Sequence, residues 1–225
     1  KDPSAPPDQR YKLTHRAREN GVSHMFGAVS ADGLRWKALE KPLLSGFASD
    51  THNVMAFNPD RGRYVGYFRG GTNMDNDEWT PRRTIAYAET DRFETWPLPK
   101  TIVTADMNDG PDTDIYTNAY TPWPGADAHL MFPAFFQRRL DTFELHMMTS
   151  RDGLHWERPA RRPIVPNGEP GSDSEGGYYA AGSELVSFKP GEWSLPIAPQ
   201  PVTHNQPVHR EAMDESPHRG YLWYA

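Results

Sequence analysis

Apolar positions recur along the chain in short runs of strand length, each closed by residues that favour turns. Arg10–Leu13 and His24–Ser30 form the first pair and lead into Asp32-Gly33. There glycine accepts positive φ and aspartate can bond the following backbone. Trp36 begins the next run, which stops before Pro42. Asn53–Phe57, the turn Asn58-Pro-Asp-Arg-Gly62, Arg63–Arg69 and Arg83–Ala88 repeat the arrangement, as do Asp114–Tyr120, His129–Phe136 and Thr142–Met148. Gly176–Gly182 and Glu184–Phe188 open a fourth segment, and Tyr221–Ala225 reads as one more strand. Neither the periodicity nor the caps of a helix longer than two turns is present. The pattern predicts an all-β chain.

A second regularity lies above the strands. Trp36, Trp96 and Trp156 stand 60 residues apart, closing Ser30-Ala-Asp-Gly-Leu-Arg-Trp36, the looser Glu89-Thr-Asp-Arg-Phe-Glu-Thr-Trp96 and Ser150-Arg-Asp-Gly-Leu-His-Trp156. Such repetition predicts units of about four strands, starting near residues 10, 50, 114 and 175, with a further start near 204. Four-stranded units of this length fit a β-propeller occupying residues 1–225 as a single domain. An irregular β-sandwich with two similar Asp-Gly hairpins is the alternative. The period calls for a fourth tryptophan near Ser216, where there is none, and a closed radial array calls for more chain. The expectation is therefore a propeller incomplete at its C-terminal side, with the three tryptophans packed between units rather than against ligand.

Composition narrows the function. Aromatic residues make up 12% of the 225 residues and β-branched runs are frequent, which favours sheet over a helical bundle. A formal charge of −6 and the lack of a dense basic face argue against nucleic acid as partner. The pairs Arg82-Arg83, Arg138-Arg139 and Arg161-Arg162 read as solvated strand ends. Without cysteine, disulfides, thiol nucleophiles and Cys-ligated zinc are excluded, and the histidines lack zinc spacing, so no metal or other cofactor is expected. No apolar run is long enough to span a membrane. The missing cysteines, together with a start at Lys1 rather than methionine, lead to the expectation of a secreted or periplasmic protein.

The Ser-x-Asp-Gly-x-x-Trp elements, each followed by proline and then an Asp-led strand, resemble the five-bladed propeller glycoside hydrolases of the invertase, arabinanase and mannoside-phosphorylase type. Arg10-Tyr-Lys-Leu13 and Asn58-Pro-Asp-Arg-Gly-Arg-Tyr64 fit the same habit, and the resemblance covers about residues 10 to 190. The Asn-Asp-Pro, Arg-Asp-Pro and Glu-Cys segments of invertases are absent. The resemblance implies that the first strand of each blade faces a channel, where an acid and a second carboxylate cleave a glycosidic bond in an oligosaccharide or polysaccharide.

Candidate carboxylates at unit starts are Asp50 in Ser49-Asp-Thr-His-Asn53, Asp114 in Pro111-Asp-Thr-Asp-Ile-Tyr-Thr-Asn118, and Glu175, with Glu184 in a more regular strand as the other candidate acid. Asp112 shares a strand face with Asp114 and is its alternative. Asp50 is followed by His52 and Asn53, and Asp114 by Tyr116 and Asn118; each set joins a carboxylate, a ring that can hydrogen-bond and an amide, groups suited to sugar hydroxyls. His204-Asn205 echoes His52-Asn53, which adds His204 to the substrate-binding candidates. Tyr178 joins them as a platform on which a sugar face can stack, alongside Trp79, Trp123 and Tyr179. The loop Gly70–Glu78 lacks a calcium-loop pattern and reads as solvated and acidic. A noncatalytic carbohydrate-binding propeller and an interaction scaffold are the rival readings.

Overall fold

The computed structural model describes residues 1–47, 49–50, 52–71, 82–180 and 185–205. The described residues form sixteen strands and one short 3-10 turn, Pro7–Gln9. They divide into two compact units, one within Lys1–Pro81 and Ala86–Thr101, the other within Arg82–Ile85 and Ile102–Ala225.

In the first unit β1 (Tyr11–Glu19) and β2 (Val22–Ser30) make a long antiparallel hairpin. Their connection is Asn20-Gly21 with φ of 50° and 80°, the left-handed pair that a two-residue hairpin turn requires. The outer half of β1, Thr14-His-Arg-Ala-Arg-Glu19, is largely polar because that strand lies at the sheet edge. β3 (Lys37–Ala38) and β4 (Leu44–Ser45) both pair with β2. β5 (Val54–Asn58) and β6 (Arg63–Gly71) pair across the predicted Asn58–Gly62 turn. β7 (Arg83–Thr90) and β8 (Lys100–Val103), of which residues 86–90 and 100–101 belong to this unit, follow in a sheet ordered β5-β6-β7-β8. Five consecutive buried residues occur in β6, from Tyr64 to Phe68, without alternation. A strand covered on both faces gives such a run.

The core of this unit joins Met25, Leu43, Tyr64, Phe68, Phe93 and Trp96. Phe68 meets Trp96 edge to face at 6.0 Å, and a Cβ on Gly66 would come within 2.7 Å of the Trp96 ring, so glycine is what admits the indole. Trp96 is 5% exposed, whereas Trp36 is 39% exposed. Trp36 thus departs from the expectation of core packing: it stands just ahead of the two-residue β3, with the indole at the surface.

In the second unit three consecutive segments form a meander, each broken in the middle. β9 (Thr113–Ile115), β12 (Ala134–Gln137) and β13 (Thr142–Leu145) make one half; β10 (Tyr120–Pro122), β11 (His129–Met131) and β14 (Met148–Ser150) make the other. Between Ile115↔Phe135 and Tyr120↔Met131 the register slips by one residue, and Ala119 takes φ of 41°. This is a β-bulge, which bends its strand and re-aims the side chains beside it. β15 (Gly177–Ala180) and β16 (Ile197–Gln200) add a hairpin to the edge of the first half, with β15 parallel to β13.

The two Ser-x-Asp-Gly segments fold alike. Ser30 and Ser150 each accept a hydrogen bond from the glycine amide three residues on at 2.9 Å. Asp32 and Asp152 each accept two further amides at 2.8 Å. Gly33 and Gly153 stand at φ of 77° and 74°.

Candidate functional site

At the start of the second sheet, Asp50 sits four residues ahead of β5 and lies between two arginines. Arg16 from β1 reaches Oδ1 at 3.0 Å, and Arg69 from β6 reaches Oδ2 at 3.1 Å. The Asp50 side chain remains 47% exposed, so a ligand can still approach it. His52 follows with φ of 56°, a left-handed backbone uncommon for any residue but glycine. Burial lowers the pKa of its imidazole, which favours the neutral ring at neutral pH, able to donate from one nitrogen and accept at the other. Asn53 Oδ1 accepts from Ser49 Oγ and from the Arg69 amide, so its amide orientation is set by groups on both sides.

The second unit holds a related arrangement around Asp114, on β9 and fully buried. Arg83 donates to Oδ2 at 2.9 Å, and Arg138 approaches both oxygens at 3.0 Å. The Arg83 guanidinium lies over the Tyr116 ring at 4.6 Å and the Phe136 ring at 5.4 Å. Tyr116 Oη is 3.2 Å from His204 Nε2. The His204 ring lies edge-on to Phe136 and Phe143, and its chain is anchored by Asn205, which donates to the Asp141 carboxylate. Three predicted residues, Asp114, Tyr116 and His204, therefore share one cluster, with Arg83 as the link. A carboxylate held by two guanidiniums positions cations; its spare lone pairs are few.

The remaining candidates lie elsewhere. Asp112 accepts the Arg139 amide through Oδ2 and the Arg138 amide through its carbonyl, which closes the corner beside Asp114. Asn118 is fully buried at the bulge, where its Oδ1 accepts the Tyr120 amide at 3.1 Å. Glu175 accepts the Gly171 amide at 2.7 Å within its own loop. Alternation along β15 sends Tyr178 to the cluster of Ala119, Phe132 and Ile197, while Tyr179 joins Tyr116 and Phe143. Glu184, Trp79, Tyr221–Ala225 and most of the Gly70–Glu78 loop lie outside the described residues.

The reading of the arginine pairs as solvated strand ends fails for three of the six residues: Arg83 and Arg138 pair with buried Asp114, and Arg82 donates to the Thr113 and Pro111 carbonyls, whereas Arg139, Arg161 and Arg162 are exposed. The sequence signal lay in Asp114 itself: an aspartate in the apolar stretch running into Ile115 and Tyr116 needs a counter-charge once buried. Among the described residues no group of three or more His, Cys, Asp or Glu is placed to hold a metal ion, and no helix is long and apolar enough to cross a membrane.

No protein-family model and no curated protein matches the chain. Solved structures do. An N-acetylgalactosamine deacetylase from F. plautii, in complex with blood group B trisaccharide, superposes with a TM-score of 0.60 at 15% identity, over 78% of this chain and 54% of its own. A sucrose-6-phosphate hydrolase from Lactobacillus gasseri gives a TM-score of 0.60 at 14% identity, over 87% and 38%. A structure from the GH130 family of mannoside phosphorylases, which contains glycoside hydrolases that target β-1,2 mannosidic linkages in Candida mannan, gives 0.58 at 14% identity, over 84% and 56%. The fold is that of the β-propeller glycosidases. This chain spans 54% of the length of the first of these structures and 38% of the second. Asp50 precedes β5, and Asp114 lies on β9.

Proposed function

We propose that this chain is part of a glycoside hydrolase that cleaves a glycosidic bond in an oligosaccharide, with five-bladed closure and a location outside the cytoplasm as parts of the same reading. The observation that carries it is Asp50: a half-exposed carboxylate at a sheet start, oriented by Arg16 and Arg69 and followed by a neutral imidazole and a fixed amide. Asp50 acts as base or nucleophile. His52 and Asn53 bind sugar hydroxyls beside Asp50, and in the second unit Tyr116 and His204 are the binding groups beside Asp114. Asp114 holds Arg83 and Arg138 in place to orient the sugar, and Glu175 or Glu184 supplies the proton to the leaving oxygen. The likeness to carbohydrate-acting enzymes supports this reading.

The second reading, a noncatalytic carbohydrate-binding propeller, is favoured by one feature. Glu175 commits an oxygen to its own loop, and both aspartates are held by paired arginines. The two readings separate in one experiment. The purified protein is screened for turnover and for binding against aryl glycosides and oligosaccharides that include β-1,2-mannobiose and sucrose. Under the hydrolase reading, Asp50→Asn lowers turnover by about 10³-fold or more with unchanged thermal unfolding. Unchanged turnover in that variant removes Asp50 from the chemistry, and binding without turnover in the unaltered protein selects the binding module. Asp50 is the better test residue because truncating Asp114 strands two guanidiniums and confounds chemistry with folding.

A further inference from the structure

Trp123 takes no part in the Asp114 cluster. It lines a separate cavity of about 670 Å³ in the second unit, between the ends of β11 and β14. Leu130 and Met147 line it together with the indole and give it apolar surface. Trp193, 39% exposed, stands beside Trp123 with ring centroids 6.5 Å apart. The rim is polar. Asp152 Oδ1 is spent on the turn amides, while Oδ2 receives His155 Nδ1 at 2.6 Å, which leaves His155 Nε2 as the ring's outward nitrogen. Glu157 also lines the cavity, and its carboxylate has no hydrogen bond or ion pair among the described residues. Arg151, the cationic side chain on the rim, donates to the Asp127 carbonyl at 3.1 Å.

The lining is not imposed by the turn that carries it. The same hydrogen-bonded turn in the first unit has Arg35 and Lys37 where this one has His155 and Glu157. Hence His155 and Glu157 are properties of this site, whereas Asp152 belongs to the turn itself. Its chemistry selects a ligand class. A pyranose or furanose ring has an apolar face that stacks on indole and an edge of hydroxyls that carboxylates and imidazole bind. Anionic ligands meet Asp152 and Glu157 and are disfavoured. The cavity lies within the usual size range of small-molecule sites.

We propose that this cavity is an ancillary binding site for neutral oligosaccharides, one that holds a polymeric glycan while other residues act on it. The proposal rests on the glycan reading above, and its test is separable from it. Native gels are cast with a mannan, an arabinan, a levan or a xylan, and retardation is measured for the unaltered chain, Trp123→Ala and the exposed-rim double variant His155→Ala with Glu157→Gln. Turnover of short aryl glycosides is measured in parallel. At least one polysaccharide is expected to retard the unaltered chain, with about tenfold weaker affinity in Trp123→Ala and a smaller loss in the rim variant. Aryl-glycoside turnover is expected to stay the same in both. Retardation indifferent to all these substitutions, or absent from every gel, overturns the site. Retardation that depends on Trp123 in a protein without turnover retains the site and removes the hydrolase reading. The rim variant guards against a folding defect, because its side chains lie at the surface.

Discussion

His52 joins a left-handed backbone to a buried ring, and both features bear on how the Asp50 segment responds to acid. Burial lowers the imidazole's pKa in the folded chain below the ordinary 6.5. On acidification the unfolded chain therefore takes up the proton first. This residue's stabilising contribution is full above about pH 7 and declines as pH falls below 6.5 toward the folded value. Denaturant unfolding between pH 5 and 8 should show that decline, and His52→Asn, which keeps a side chain tolerant of left-handed φ, should flatten it. Superimposable profiles for the two proteins would dismiss the coupling. The His52-Asn53 pair was legible in the sequence as a polar cluster, because its members are adjacent. The partners of Asp50 and Asp114 were not, because Arg16, Arg83 and Arg138 lie 34, 31 and 24 positions away from the carboxylates they meet.

At the level of strands and turns, local chemistry and local structure agree wherever a few neighbouring residues close the geometry. The Ser30 and Ser150 turns repeat hydrogen bond for hydrogen bond. Asn20-Gly21 is a hairpin signal of equal strength, but it stands beside the polar half of β1, where an exposed edge strand need not alternate. The runs Asp114–Tyr120, His129–Phe136 and Thr142–Met148 read as continuous strands but are each broken, and the bulge at Ala119 leaves no turn residue to announce it. β15 depends on a single position of a different kind. Gly177 has φ of 98°, and a Cβ there would strike the Phe143 carbonyl. Gly177→Ala should destabilise the chain by about 2 kcal/mol or more. Hydrogen exchange should show lost protection at Tyr178–Ala180 with β9 and β12 little changed; protection retained in β15 would mean that the strand does not rely on this contact.

Across the molecule, the tryptophan ladder separates into rungs of different kinds. Trp96 is enclosed by Phe68, Phe93 and Leu43, and its Nε1 donates to the Phe93 carbonyl at 2.8 Å. Trp156 makes the equivalent bond to Gly153 at 3.1 Å, whereas Trp36 is largely at the surface. Trp96→Ala should cost about 3–5 kcal/mol, as large-to-small core substitutions do. Trp36→Ala should cost less than about 1 kcal/mol, a contrast that equilibrium unfolding in urea can measure. Equal losses would mean that Trp36 is buried in solution. By itself the sequence determined the all-β class, most of the longer strands and the Asp-Gly turns, since each depends on residues within a few positions of one another. Only the tertiary structure decided which rung is buried, which arginines clamp Asp50 and Asp114, and that Tyr116 meets His204. Burial and ion pairing are set by groups brought together from distant stretches, and the same residue types at the same spacing can end in core or in water.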